Sequence, residues 1–81
     1  MRSATRRVVV YSARDCHLCD AALAVVAAVC GEDFRTIDIT GDPELEAAYR
    51  SSIPVVEIDG ERAFTYFVQP DALRQRLKAC R

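Results

Sequence analysis

Residues 11–23, YSARDCHLCDAAL, set two thiols three positions apart where a β-branched run gives way to an alanine-rich one. Upstream, RRVVVYS (6–12) is a continuous apolar run without alternation, the pattern of a central strand covered on both faces, and it predicts β1 over roughly 6–11. Downstream of Cys16, the residues Leu18, Ala22, Val25, Val26 and Val29 recur at helical spacing as an inward face, and Gly31 is a natural C-terminal stop; these predict a helix, α1, from residue 16 to that glycine. Cys16 and Cys19 therefore stand at a strand-to-helix junction. Three fates are open to such a pair: exchanging electrons, holding a metal, or packing.

The remaining elements follow from the same kind of reading. FRTIDIT (34–40) is rich in β-branched residues and predicts β2. In GDPELEAAYR (41–50), Asp42 is an N-cap and Pro43 occupies the first position of a short α2, with Leu45, Ala48 and Tyr49 turned inward. PVVEIDGERAFTYF (54–67) is two strand-like runs, β3 and β4, around Asp59-Gly60, a residue pair favoured in two-residue hairpin turns because both positions need positive φ. PDALRQRLKACR (70–81) places Leu73, Leu77 and Cys80 on one stripe and gathers cations in its last turn, which predicts α3. The order β-α-β-α-β-β-α has no repeat or linker. It predicts an α/β domain over 1–81 whose four-stranded mixed sheet joins two parallel strands through α1 by a right-handed crossover, with helices on both faces.

Composition limits the function classes. A chain of 81 residues buries only about 60% of the surface its unfolded form exposes, so its stability is marginal. Hydrophobic residues make up 51% and the net charge is −1, with three glycines and three prolines, which fits a compact soluble fold rather than disorder. That balance lacks the basic excess used for nucleic acid, and the local patches Arg2, Arg6, Arg7 and Arg74, Arg76, Lys78, Arg81 read as solvated ends. The basic opening is followed by an apolar run of Val8–Tyr11 only, too short for a secretory h-region. A cytoplasmic monomer without membrane or nucleic-acid partners is expected. In a reducing compartment, four cysteines read as a redox or metal motif plus bystanders rather than a disulfide framework.

A cysteine capping a helix at the carboxyl end of a strand lies beside free backbone N–H groups and the positive end of the helix dipole, and both favour thiolate over thiol. Cys16 has that place. Cys19, one turn further in, is expected to be more buried, yet near enough to close a disulfide without unwinding the helix. This asymmetry assigns Cys16 as nucleophile and Cys19 as resolving thiol. Arg14 and a protonated His17 favour the Cys16 thiolate and Asp15 opposes it.

On VVVYSARDCHLC (8–19), SIPVVEIDG (52–60) and PDAL (70–73), the chain resembles small thioredoxin-fold proteins of the glutaredoxin-like kind over nearly its whole length. The resemblance implies a thioredoxin-like fold and thiol–disulfide oxidoreductase activity towards protein or small-molecule disulfides. It further implies that Pro54 is cis and faces the dithiol, and that the Ile53 backbone pairs with the bound disulfide. Arg14, His17, Ile53 and Pro54 are thus the expected substrate-binding residues beside the catalytic Cys16 and Cys19. Two glutathione anchors of the glutaredoxins are replaced: a lysine by Ala13, and a Gly-Gly-type turn after the fourth strand by the bulky TYFVQPD (65–71). Glutathione is therefore expected as an electron donor rather than a bound cofactor, with Arg14 the candidate substitute for the lysine. FTYFVQPD (64–71) is similar to the aromatic-Ser-Gly-Phe-x-Pro-Asp segment of the redoxins that serve ribonucleotide reductase, which implies thioredoxin reductase as the other candidate donor.

Rival readings use the same residues. A zinc site would take Cys16, Cys19 and two of His17, Cys30 and Cys80, but zinc pairs usually come as two matched pairs on tight turns, and here the one pair opens a helix. The resemblance to glutaredoxins implies a further rival, an iron-sulfur cluster shared between two chains with Cys16 and glutathione as ligands, and another is a non-enzymatic interaction domain built on the same fold. Cys30 and Cys80 read as small buried hydrophobes, with a second disulfide between them left open. Tyr11 and Tyr66 are placed either beside the substrate groove or over the core edge, and Asp38 reads as a solvated strand residue.

Overall fold

The computed structural model describes residues 7–79. In chain order these are β1 (Val8–Ser12), α1 (His17–Cys30), β2 (Arg35–Asp38), α2 (Pro43–Tyr49), β3 (Val55–Ile58), β4 (Glu61–Thr65) and α3 (Pro70–Ala79). The sheet order is β2-β1-β3-β4. β1 and β2 run parallel, with Ser12 opposite Asp38, while β1 and β3 run antiparallel, with Tyr11 opposite Val55. This is the four-stranded mixed sheet with three helices that the sequence predicts.

Local chemistry accounts for the boundaries. Asp59 and Gly60 take φ of 54° and 84°, the two positive values the hairpin turn requires. The Asp42 carboxylate accepts from the N–H groups of Glu44 and Leu45, both at 3.1 Å, and Pro43 follows at the first helical position. Gly31 ends α1 at φ 65°. β4 carries one extra residue, because Glu57 faces Arg62 while Val56 faces Phe64, leaving Ala63 as a bulge that adds twist to the hairpin.

Alternation along the strands divides the core. Val8 and Val10 of β1 join Val56 and Ile58 of β3 on one face, where α1 contributes Ala22 and Val26 and α3 contributes Leu73. Side chains of this kind stabilise by about 1.5–3 kcal/mol each when fully removed from water. On the opposite face, Tyr11 stacks on Tyr49 of α2 with ring centroids 4.1 Å apart. The Tyr49 hydroxyl donates to the Glu57 carboxylate at 3.0 Å, and the Arg62 guanidinium lies 5.4 Å from the Tyr49 ring centre.

Several expectations are corrected. Leu18 is 39% exposed rather than inward: it sits in the first turn of α1 beside Ala22 on the helical period, yet at the edge of the buried stripe of Cys19, Ala22 and Val26, where it borders the open end of the sheet. Ala48 is exposed as well, because the seven-residue α2 turns Leu45 and Tyr49 to the sheet and buries neither completely. Arg7 is not a solvated end, since its guanidinium holds both carboxylate oxygens of Asp59, at 3.1 and 3.3 Å, and donates to the Leu77 carbonyl at 3.2 Å. Arg74 is solvated as expected, pairing at 3.0 Å with the likewise exposed Asp71 one turn away. Cys80, expected on the α3 stripe after the buried Leu73 and half-buried Leu77, lies outside the described residues, as do Arg2, Arg6 and Arg81. Among the described residues, no helix is long and apolar enough to cross a membrane.

Candidate active site

Topology brings four chain segments to one end of the sheet. β1 leaves the sheet at Ser12, β3 enters it at Val55, and Val55 faces both Tyr11 and Thr65. The loop to Cys16, the Ile53–Pro54 segment and the turn after Thr65 therefore emerge side by side. The segment after β2 joins them, with the Arg14 N–H donating to Thr40 Oγ1 at 3.2 Å. Ligands of α/β sheets characteristically sit at such strand ends, where loops from several strands converge.

Cys16 is the N-cap of α1, in extended conformation, and its Sγ accepts the N–H of Cys19 at 3.1 Å. Asp15 just before it takes φ 58°, a left-handed conformation that Asp adopts more readily than most residues and that turns the chain from strand into helix. Cys16 and Cys19 are joined as a disulfide with their Cα atoms 5.2 Å apart. Their environments differ: Cys16 is partly exposed, whereas Cys19 retains 1% exposure and faces the core. Arg14 and His17 stand exposed on either side of Cys16 in the chain. The Ile53–Pro54 peptide bond is cis, with Pro54 buried and Ile53 half-buried at the entrance to β3.

The two tyrosines weighed from sequence separate. Tyr11 covers the sheet by stacking on Tyr49, while Tyr66 is 46% exposed at the dithiol end. Tyr66 is the centre of a three-residue turn in which Phe67 N–H donates to the Thr65 carbonyl at 2.7 Å, and its φ is 67°. A bulky residue in that region costs about 1–3 kcal/mol. Its own N–H donates to the Pro54 carbonyl at 2.9 Å, and its hydroxyl to the Ser51 carbonyl at 2.8 Å. Phe67 is 68% exposed and Leu18 39%. Together with Ala21, Val25 and Pro70, these three residues line an open groove of about 310 Å³ between α1 and the start of α3. Sequence reasoning did not single out Leu18 or Phe67 as surface features. The available signal was the aromatic pair Tyr66-Phe67 placed directly after a strand, where a turn ordinarily takes small residues.

The other titratable groups lie apart from this cluster. Burial pushes the Cys30 thiol up, with a further push from the Asp33 carboxylate and partial relief from Arg7. Asp38 is exposed and held below the usual carboxylate range by the Thr40 N–H, and then by the Thr40 hydroxyl. Tyr49 is pushed up to about 12 by burial, by hydrogen bonds with Tyr11 and Glu57, and by the Glu57 charge. Among the described residues, no three His, Cys, Asp or Glu side chains gather into a set able to hold a metal ion.

Comparison with known proteins agrees with this geometry. Residues 7–78 match the model of the Glutaredoxin-like domain (DUF836). The crystal structure of the structural-genomics target protein XcR50 from X. campestris is 32% identical, covers 89% of this chain and 96% of its own, and superposes with a TM-score of 0.77. Two more distant structures share the fold. Fasciola hepatica thioredoxin is 23% identical over 91% of this chain and 79% of its own, with a TM-score of 0.60. The holo form of glutaredoxin C1 from Populus tremula x tremuloides is 19% identical over 95% and 78%, with a TM-score of 0.59. No curated protein matches the chain. The match across nearly all of the sequence, with a thioredoxin-like fold and a C-x-x-C pair at disulfide distance, establishes that the chain belongs to the glutaredoxin-like domain family.

Proposed function

We propose that this protein is a thiol–disulfide oxidoreductase that reduces disulfides of proteins or small molecules with the Cys16–Cys19 dithiol. The observation that carries the reading is the asymmetry of the pair: a partly exposed Cys16 whose sulfur receives a helix N-terminal N–H, and a buried Cys19 one turn behind it. That N–H and the positive end of α1 favour a thiolate on Cys16, and exposure lets it reach a substrate.

The reaction proceeds in two exchanges. The Cys16 thiolate attacks one sulfur of the substrate disulfide, forming a mixed disulfide and releasing the other sulfur as a thiolate, which takes up a proton. Cys19, after losing its proton, attacks Cys16 Sγ, expels the second substrate thiolate and closes the Cys16–Cys19 disulfide. Two electrons pass from the protein to the substrate. A donor of the thiol class, glutathione or the dithiol of thioredoxin reductase, returns them by the reverse exchange. Ile53 and Pro54 form the platform beside the reacting sulfur, and Arg14 and His17 form the polar rim. Tyr66 and Phe67 stand where glutaredoxins carry a glycine turn, and this supports a protein disulfide as substrate over a glutathione adduct.

The test is a pair of substitutions assayed with insulin as the disulfide substrate. Cys16→Ser is expected to abolish turnover, and Cys19→Ser to accumulate a mixed disulfide on Cys16 that mass spectrometry detects. Undiminished turnover in Cys16→Ser would sink the assignment.

A further inference from the structure

Tyr66 pays a backbone cost that a glycine at the same place would avoid. Its φ of 67° lies in the left-handed region, at the centre of the tight turn closed by Phe67 N–H and the Thr65 carbonyl. Strained residues persist where surrounding structure over-determines them, and the structure shows what does so here. The Tyr66 N–H holds the Pro54 carbonyl at 2.9 Å and the Tyr66 hydroxyl holds the Ser51 carbonyl at 2.8 Å. These two bonds bracket the residues from Ser51 to Pro54, four of the five that link α2 to β3. The start of that link is further tied by Ser52 N–H to the Tyr49 carbonyl at 2.8 Å. One side chain thus spans from the turn after β4 to the far end of the segment that contains Ile53.

We propose that Tyr66 is a positioning residue: its hydroxyl fixes the Ser51–Pro54 segment so that the Ile53 backbone meets an incoming polypeptide disulfide in register. This rests on the oxidoreductase reading of Cys16. Ring and hydroxyl divide the work. The ring, 46% exposed, forms a wall of the groove shared with Leu18 and Phe67, and the hydroxyl acts away from that groove on the Ser51 carbonyl. A disulfide without a peptide backbone has nothing to align on the segment, so Tyr66 discriminates between substrate classes rather than contributing to sulfur exchange itself.

The experiment uses Tyr66→Phe, which keeps the ring and the turn and deletes only the hydroxyl bond, with two substrates: a cystine-bridged peptide and bis(2-hydroxyethyl) disulfide. Loss of one hydrogen bond of about 1 kcal/mol corresponds to about fivefold. The expected result is a KM for the peptide about fivefold higher with kcat unchanged, and both constants unchanged for the small disulfide. In parallel, amide exchange of Ser52, whose N–H the Tyr49 carbonyl holds at 2.8 Å, is expected to quicken about fivefold, a readout that needs no turnover. Unchanged exchange, an unchanged KM for the peptide, or an equal loss with both substrates overturns the proposal. Wild-type protein that turns over neither substrate overturns the oxidoreductase reading instead, and exchange at Ser52 then still decides whether the hydroxyl fixes the segment.

Discussion

Replacing Tyr49 with phenylalanine isolates the contact that fastens α2 to the sheet. No residue of α2 is fully buried, and its last residue holds the Glu57 carboxylate through a hydroxyl at 3.0 Å. Hydrogen bonds to charged groups contribute about 1.5–3 kcal/mol, and partial exposure puts this one at the lower end, about 1.5 kcal/mol. Unfolding entropy near 2.1 cal/mol/K per residue gives about 0.17 kcal/mol/K for 81 residues. Tyr49→Phe is therefore expected to lower the Tm by about 9 °C at pH 7, measured by calorimetry on the oxidised protein. The loss carries a pH signature. The folded Tyr49 phenol is pushed up to about 12 from 10.0, first by burial and then by its bonds with Tyr11 and Glu57. A folded value above the unfolded one means that this contribution is complete below about pH 10 and is lost as the pH rises towards 12. The difference between wild type and variant should be constant from pH 7 to 9 and shrink above 10. Equal Tm values at pH 7, or a difference undiminished at pH 12, would refute the assignment of this bond.

Three further outcomes follow from individual residues. Leu73→Ala removes a side chain with 0% exposure from the contact of α3 with the core, and is expected to cost about 2–5 kcal/mol in urea denaturation. Asp42→Ala leaves the N–H groups of Glu44 and Leu45 without their acceptor and should cost about 1 kcal/mol, with Asp42→Asn recovering most of it. In the reduced protein, iodoacetamide at pH 7 should label Cys16 well before Cys30, whose thiol burial holds mostly protonated; the order is read by peptide mass mapping.

What the sequence discloses and what it withholds divide along physical lines. The strand-to-helix switch at Cys16, the Asp42-Pro43 helix start and the Asp59-Gly60 turn are local, because a cap, a proline and a positive φ each act within a few residues. The parallel pair joined through α1 and the antiparallel hairpin followed from these, since so few elements admit few connections, whereas the order β2-β1-β3-β4 is supplied by the structure. Contacts made across the fold were not legible. Leu18 obeys the helical period that Ala22 and Val26 obey, and only the position of the sheet relative to α1 leaves it exposed. Arg7 looks like part of a basic end until the hairpin carries Asp59 to it across 52 positions. Tyr66 has the same character: the sequence marks an unusual residue after a strand, and its two bonds to Ser51 and Pro54 exist only once the strands pair.

The central claim is that Cys16 and Cys19 form one exchanging couple. A redox titration in dithiol and glutathione buffers, quenched by alkylation and read by mass mapping of each cysteine, tests it most directly. The account predicts that Cys16 and Cys19 open and close together, as a two-electron couple between about −270 and −120 mV, while Cys30 does not follow them. Independent labelling of Cys16 and Cys19 across that range, with no shared midpoint, would contradict it.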